Sequence, residues 1–379
     1  MKAARILVVD DEPGMLRAVE RVLGGRHQIA AAATAEHAMA LAATFRPELA
    51  IVDIRMPDQD GFELMNRLKR EHRDLDVILM TGSVSEPDRK LVRAIREDAF
   101  YFIQKPFDSE VLRTLVDRCL AARALTEANR SHVQTLEREL SEARWFQQSL
   151  LPPTEAVIGS LRLDCRSVSC SLLAGDLYDY VALSGGGAAL LVADVSGHGV
   201  SAAMLTGIVK SSFRSSSIDQ FDPLAVVERI WLALGSFDHD RFVSAFAAVV
   251  NEKERRLDYV NAGHPAPLMW TAHAAASHPG IVALDSTGPI LSPAIRKRFW
   301  EKKTTEFQPG SRLLAYTDGI SEAVDPEGDF FGEERIHTHI NTRLEGGATL
   351  VAELLQGVER FSSGRPQPDD LTVLAASLD

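Results

Sequence analysis

The sequence predicts two domains of different class joined by a helix. The first is an α/β doubly wound parallel sheet, the second an α+β sandwich of two β-sheets flanked by helices. Three observations predict this. Residues 1 to 122 alternate short apolar runs with amphipathic helical patterns, as βαβ units do when both faces of a sheet are covered. Residues 123–151 contain no Gly or Pro and are rich in Ala, Leu, Glu, Arg and Gln, the composition of one long helix. Residues 152–379 carry many short, turn-linked β-like runs with the helical patterns grouped between them, which suits antiparallel sheets covered by helix pairs. At 379 residues, 45% hydrophobic and 25% charged, the chain has the make-up of soluble globular material and exceeds one ordinary domain.

In the first domain the strand runs are "RILVVD", "LAIVDI", "DVILMTG" and "FYFIQKPF", separated by "GMLRAVERVLG", "FELMNRLKREH" and "DRKLVRAIRED" and followed by "EVLRTLVDRCLAARA". Parallel sheets carry their chemistry at the carboxyl ends of the strands. Those ends are Asp10 and Asp11, Asp53, Thr81 and Lys105. Solvated loop charges would explain each singly, but not all at one edge. Asp10 and Asp11 can hold a hard divalent cation such as Mg2+ through oxygen ligands, lowering the charge around Asp53 as it attacks a phosphoryl donor. Asp53 then becomes an acyl phosphate, Lys105 pairs with the phosphoryl oxygens, and the Thr81 hydroxyl swings to meet them. Aiming Lys105 inward calls for a tight turn, so the Lys105–Pro106 peptide is expected to be cis.

The stretches "VVDDE", "VDIRMPDQDG", "MTG" and "FYFIQKPF" resemble the response-regulator receiver family over some 120 residues. The resemblance implies a flavodoxin-like fold, Asp53 as phosphoacceptor, a Mg2+ site of Asp10, Asp11 and Asp53, and a switch of Thr81, Lys105 and Phe102. It also implies a sensor histidine kinase or other phosphotransfer donor upstream.

In the linker, Ala122, Asn129, Val133, Leu136, Leu140, Ala143, Gln147 and Leu150 follow three-four spacing, a heptad seam that predicts a coiled-coil homodimer. Asn129 and Gln147 weaken that seam while fixing its register. A single amphipathic helix packed on its own domain is the other reading of the same spacing.

The third part has strand runs "LRLDCRSVSC", "DYVALS", "AALLVADV", "FVSAFAAVVN", "RLDYVNAG", "IVAL", "RLLAYTDG" and "LTVLAAS", with helical patterns near 200–215, 222–235, 333–343 and 348–360. Acids stand beside these strands: Asp176 in "AGDLYDY", Asp194 in "VADVSGHG", Asp318 in "AYTDGISEA", and Asp369 with Asp370 in "QPDDLTVLAAS". Any one Asp-Gly pair reads as a turn. Several acids at the ends of apolar strands are a different matter, because burying them without cations is prohibitive. A pair of Mg2+ or Mn2+ ions resolves the repulsion and creates a hydrolytic centre. The Cys and His spacing of a structural zinc site is missing.

The elements "AGDLYD", "DVSGHG", "NAGHPAP", "TDGISEA" and "DDLT" resemble the PPM family of metal-dependent protein phosphatases, in the SpoIIE and sigma-regulator branch, over some 220 residues. That resemblance implies that Asp176 and Asp194 bridge two Mn2+ or Mg2+ ions. The backbone carbonyl of Val195 is a further ligand, Asp318 and Asp369 complete the set, Asp370 stands behind it, and a metal-bound water is the nucleophile. Leu177 replaces a usual aromatic, Ala174 a glycine, and Leu291 a common glycine; these touch loop shape and leave the ligands in place. His198 and His264, in glycine-flanked turns, take structural or substrate-side roles, since the metal centre already supplies the nucleophile. A serine hydrolase built on Asp194, Ser196 and His198 fails, because a nucleophile elbow needs glycine where Asp194 stands.

The net charge of −12, with no long basic block, argues against nucleic acid and anionic membrane surfaces as partners. Three scattered cysteines, Cys119, Cys165 and Cys170, suit a reducing cytoplasm. The opening "MKAARILVVDDE" is neither a signal peptide nor an anchor. Together these readings imply a cytoplasmic response regulator with a metal-dependent serine/threonine phosphatase output. Phosphorylation of Asp53 gates it, and a phosphorylated anti-sigma-factor antagonist in a partner-switching pathway is the implied substrate. The alternative is a phosphorylation-gated adaptor whose phosphatase-like domain only binds.

Overall fold

The computed structural model describes residues 3–57, 59–82, 101–197, 199–237, 241–271, 280–342 and 350–379. It divides into two compact units, Met1–Leu136 and Glu137–Asp379. In the first, β1 (Arg5–Val9), β2 (Gln28–Ala32), β3 (Leu49–Asp53), β4 (Asp76–Thr81) and β5 (Tyr101–Gln104) form an all-parallel sheet of order β2-β1-β3-β4-β5. The central strands are apolar throughout because helices cover both faces. On one face α2 (Ala35–Phe45) and α3 (Gly61–Glu71) bury Ala38, Ala42, Leu64 and Leu68; on the other α1 (Pro13–Leu23) and α4 (Ser109–Leu150) bury Val19, Leu112 and Val116. Thr34 and Asp60 cap α2 and α3 by accepting from His37 N and Phe62 N. The expected helix at "DRKLVRAIRED" lies outside the described residues.

The linker is not a separate helix. It is the second half of α4, which continues unbroken from the last helix of the first domain, since nothing from Ser109 to Leu150 interrupts the helical pattern. Along the expected seam Val133 and Leu136 are exposed, whereas Gln147 is half-buried and bonded within its own domain.

The second unit is a sandwich. One sheet, ordered β14-β11-β10-β9-β8, contains β8 (Asp176–Ala182), β9 (Ala188–Val195), β10 (Val243–Asn251), β11 (Arg256–Ala262) and β14 (Lys303–Glu306). The other, ordered β13-β12-β15-β16-β7-β6, contains β6 (Glu155–Ile158), β7 (Leu161–Val168), β12 (Leu268–Thr271), β13 (Val282–Ala283), β15 (Ser311–Tyr316) and β16 (Leu371–Leu378). Tyr178, Val192, Phe246, Phe307 and Leu374 fill the space between them. Strand alternation turns Leu177, Leu191 and Ala247 outward under α5 (Val200–Arg214) and α6 (Pro223–Leu234). Leu314, Tyr316 and Val373 face α8 (Gly332–Thr342) and α9 (Leu350–Phe361). Strand β8 begins at Asp176, earlier than the apolar run suggests, and the short strands β6, β12 and β14 join the expected ones. Among the described residues no helix is long and apolar enough to cross a membrane.

Candidate metal centre

In the first domain the strand-end residues converge as expected. Asp10, Asp11 and Asp53 bring one ligand oxygen each to within 4.8 Å of one another. Lys105 Nζ donates to Asp10 Oδ2 at 2.6 Å and to Asp53 Oδ2 at 2.8 Å. Asp10 is fully buried, and burial raises its pKa despite the ammonium. Thr81 ends β4 and is buried, Phe102 is half-buried against the α2–α3 face, and Lys105–Pro106 is cis.

The second domain assembles its acids from two sheets. Antiparallel pairing sets Asp176, the first residue of β8, opposite Asp194, the penultimate residue of β9. In the facing sheet β15 ends beside the start of β16, with Tyr316 opposite Val373. This brings Asp318, which opens the short helix α7 (Asp318–Ser321), to the same end as Asp369 and Asp370. Thr317 joins the sheets: its hydroxyl donates to Asp176 Oδ2 at 2.7 Å and accepts from Thr372 N at 3.0 Å.

Asp370 does different work from its neighbour. Its buried carboxylate accepts from Cys170 N at 2.8 Å, Gly175 N at 2.6 Å and Asp176 N at 3.4 Å, fixing the backbone that presents Asp176. Gly175 cannot carry a side chain: a Cβ there would lie 2.8 Å from the Val195 carbonyl oxygen and 3.1 Å from that of Gly197. A methyl at Gly319 would likewise stand 2.0 Å from the Asp370 carbonyl.

The electrostatics point to cations. Burial and then Asp194 raise the Asp176 carboxyl well above its ordinary value. Asp194 is pushed up to about 7 by burial, then by Asp318, Asp369 and Asp370. Burial, then Glu322, raises Asp318. The ring of acids is looser than the first domain's trio, since among the described residues only Asp10, Asp11 and Asp53 meet within 4.8 Å. Hard carboxylate oxygens with an adjacent backbone carbonyl, mutually repelling at the mouth of two sheets, are the donor set that Mg2+ or Mn2+ takes. The residues fit the ions.

Residues 184–379, more than half of the chain, match the family described as Stage II sporulation protein E (SpoIIE), and residues 6–117 match the response regulator receiver domain. The chain belongs to the SpoIIE family. It is 27% identical over 240 residues to the phosphoserine phosphatase RsbP of Bacillus subtilis, covering 62% of this chain and 56% of RsbP. It is 25% identical over 265 residues to the protein IcfG of Synechocystis, covering 62% of this chain and 41% of IcfG. The chain thus spans about half the length of these curated relatives. The SiaA-PP2C domain of Pseudomonas aeruginosa has the same fold as the SpoIIE-family domain, with a TM-score of 0.57 at 19% identity over 65% of this chain and 99% of that domain.

The structure buries His264, whose Nδ1 lies 2.8 Å from Ser244 Oγ and whose backbone N donates to Asn261 Oδ1 at 2.8 Å. Burial pushes the ring down to about 3, which favours the neutral imidazole. His198 lies outside the described residues. Sequence reasoning missed Thr317, whose signal is a hydroxyl directly before Asp318 at a strand end. It also missed Asp179, fully buried on β8 and bonded to Lys210 at 2.7 Å and Arg214 Nε at 2.7 Å. Its signal is the pair of cations four apart on one helix face.

Proposed function

We propose that this chain is a metal-dependent protein serine/threonine phosphatase whose output is set by its receiver domain. One observation carries the reading: Asp176 and Asp194, paired across β8 and β9, are tied through Thr317 to the strand end that carries Asp318 and Asp369. Asp176, Asp194, Asp318, Asp369 and the Val195 carbonyl are the residues that would hold two Mn2+ or Mg2+ ions. When bound, the ions supply charge neutralisation and Lewis-acid activation for phosphoester hydrolysis. Thr317 orients the Asp176 carboxylate, and Asp370 holds the Gly175–Asp176 backbone in place. In the receiver, Asp53 takes a phosphoryl group from a sensor kinase or other phosphodonor, and Asp10, Asp11 and Asp53 would hold a Mg2+ ion that lowers the charge there.

The similarity to RsbP supports a phosphoserine protein as substrate. The substrate class we infer is a phosphorylated anti-sigma-factor antagonist acting by partner switching in the cytoplasm, with a homodimer formed along α4.

The test uses the full chain and a phosphoserine protein substrate with Mn2+, with and without beryllofluoride to mimic phospho-Asp53. Hydrolysis that needs Mn2+, and that changes with beryllofluoride in the wild type but not in Asp53→Asn, is expected. No hydrolysis with metal in either Asp53 state overturns the reading in favour of a binding adaptor.

A further inference from the structure

The end of α4 reaches the metal site through one side chain. Gln147 Nε2 donates to the Ala174 carbonyl at 2.7 Å and to Thr206 Oγ1 at 3.2 Å, while its Oε1 accepts from Ala174 N at 2.9 Å. Both backbone polar groups of Ala174 are therefore held by one amide, which matches a peptide group's donor and acceptor as no other side chain except Asn does. The next residues are Gly175 and Asp176. Thr206, buried on α5, accepts one of the bonds, and α5 begins just beyond the turn that follows Asp194 and Val195. A cavity of about 50 Å3 lies beside these bonds, lined by Arg144, Gln147, Leu151, Ala174, Asp176 and Thr206. The amide ties the helix end to the segment and to α5.

We propose that Gln147 is a positioning residue of the phosphatase metal site, one that sets the Ala174–Gly175–Asp176 segment from α4 and so makes ion affinity depend on how the end of that helix is seated. This deepens the phosphatase reading and rests on it. Asp370 grips the same segment from β16 through Gly175 N. Asp176 is thus held from two sides, by an acid of the sandwich and by an amide of the helix that continues from the receiver.

The test is Mn2+ binding to the full chain without substrate, read by calorimetry, alongside thermal unfolding and the Mn2+ dependence of phosphatase activity. Gln147→Met keeps the volume and removes the three hydrogen bonds; Gln147→Glu keeps the acceptor and loses the donors. Both are expected to weaken Mn2+ binding about tenfold, as loss of these bonds implies. Activity should recover toward the wild-type maximum at saturating Mn2+, and the metal-free unfolding midpoint should fall by no more than a few degrees, less than the loss in Mn2+ binding would require. Ser149→Ala, whose hydroxyl bonds only within its own helix, should match the wild type. Unchanged Mn2+ affinity in both Gln147 variants overturns the proposal. So does a weakening that merely follows an equal loss of thermal stability, which makes Gln147 an ordinary packing residue. If the wild type itself neither binds Mn2+ nor hydrolyses phosphoserine, the phosphatase reading fails instead.

Discussion

The molecule holds two acid clusters at sheet edges and balances their charge in opposite ways. In the receiver, Lys105 stands between Asp10 and Asp53 and bonds both. The protein supplies its own counter-charge, and a cation can be exchanged without leaving the acids bare. In the SpoIIE-family domain the acids are held by neutral groups, the Thr317 hydroxyl and the backbone N–H groups that Asp370 grips. Asp194 is left among Asp318, Asp369 and Asp370 and is pushed up to about 7. A cluster balanced from within can act as a switch, whereas one balanced by ions from outside depends on them for its chemistry.

The largest expected effect comes from removing a proposed ligand of the second cluster. Asp194→Asn should lower turnover on the order of a thousandfold, because ions held there would lower the barrier by several kcal/mol. Its receiver should still be phosphorylated at Asp53. Retained turnover would break the comparison.

Removing the internal counter-charge should act on stability instead. Lys105→Met leaves the buried Asp10 and Asp53 carboxylates without their cation, a loss of about 3–5 kcal/mol for a broken buried pair. The receiver's denaturant midpoint should fall, and Mg2+ should restore part of it; an unmoved midpoint would show that the acids need no partner.

The smallest effect concerns pH. The His264 ring has its ordinary value of 6.5 lowered to about 3 by burial, so the unfolded chain binds the extra proton. Its contribution is whole above about 6.5 and is lost as pH falls toward about 3, at about 1.4 kcal/mol per pH unit. Asp194, raised to about 7 when no cation is bound, acts in the opposite direction over part of that window. The comparison of wild type with His264→Asn therefore carries the test: the unfolding free energy at pH 7 minus that at pH 5 should be more positive in the wild type than in the variant, by about 2 kcal/mol. Equal differences would place the proton elsewhere.

The sequence made the receiver legible because parallel strands read as apolar runs and point their last residues at one edge, which is where Asp53, Thr81 and Lys105 stand. Asp194 and Asp318 were legible for the same reason, each following an apolar run. Asp176 was harder, since it opens a strand that the turn-like "AGD" conceals. The strands β6 and β14, four residues each and at sheet edges, carry charges that an edge tolerates and a pattern reads as loop. Gln147 fits the heptad spacing, and only its partners, 27 and 59 residues away, show that it belongs to the sandwich. The roles of Asp369 and Asp370 divide on burial, which two adjacent acids do not reveal.

The grip of Asp370 on Gly175 spans 195 residues of sequence. During synthesis the receiver can fold while β16 is still to be made. Until that strand arrives, the loop that presents Asp176 has Gln147 but lacks its second anchor. The Gly175–Asp176 backbone therefore takes its final seat only once β16 has been made and paired.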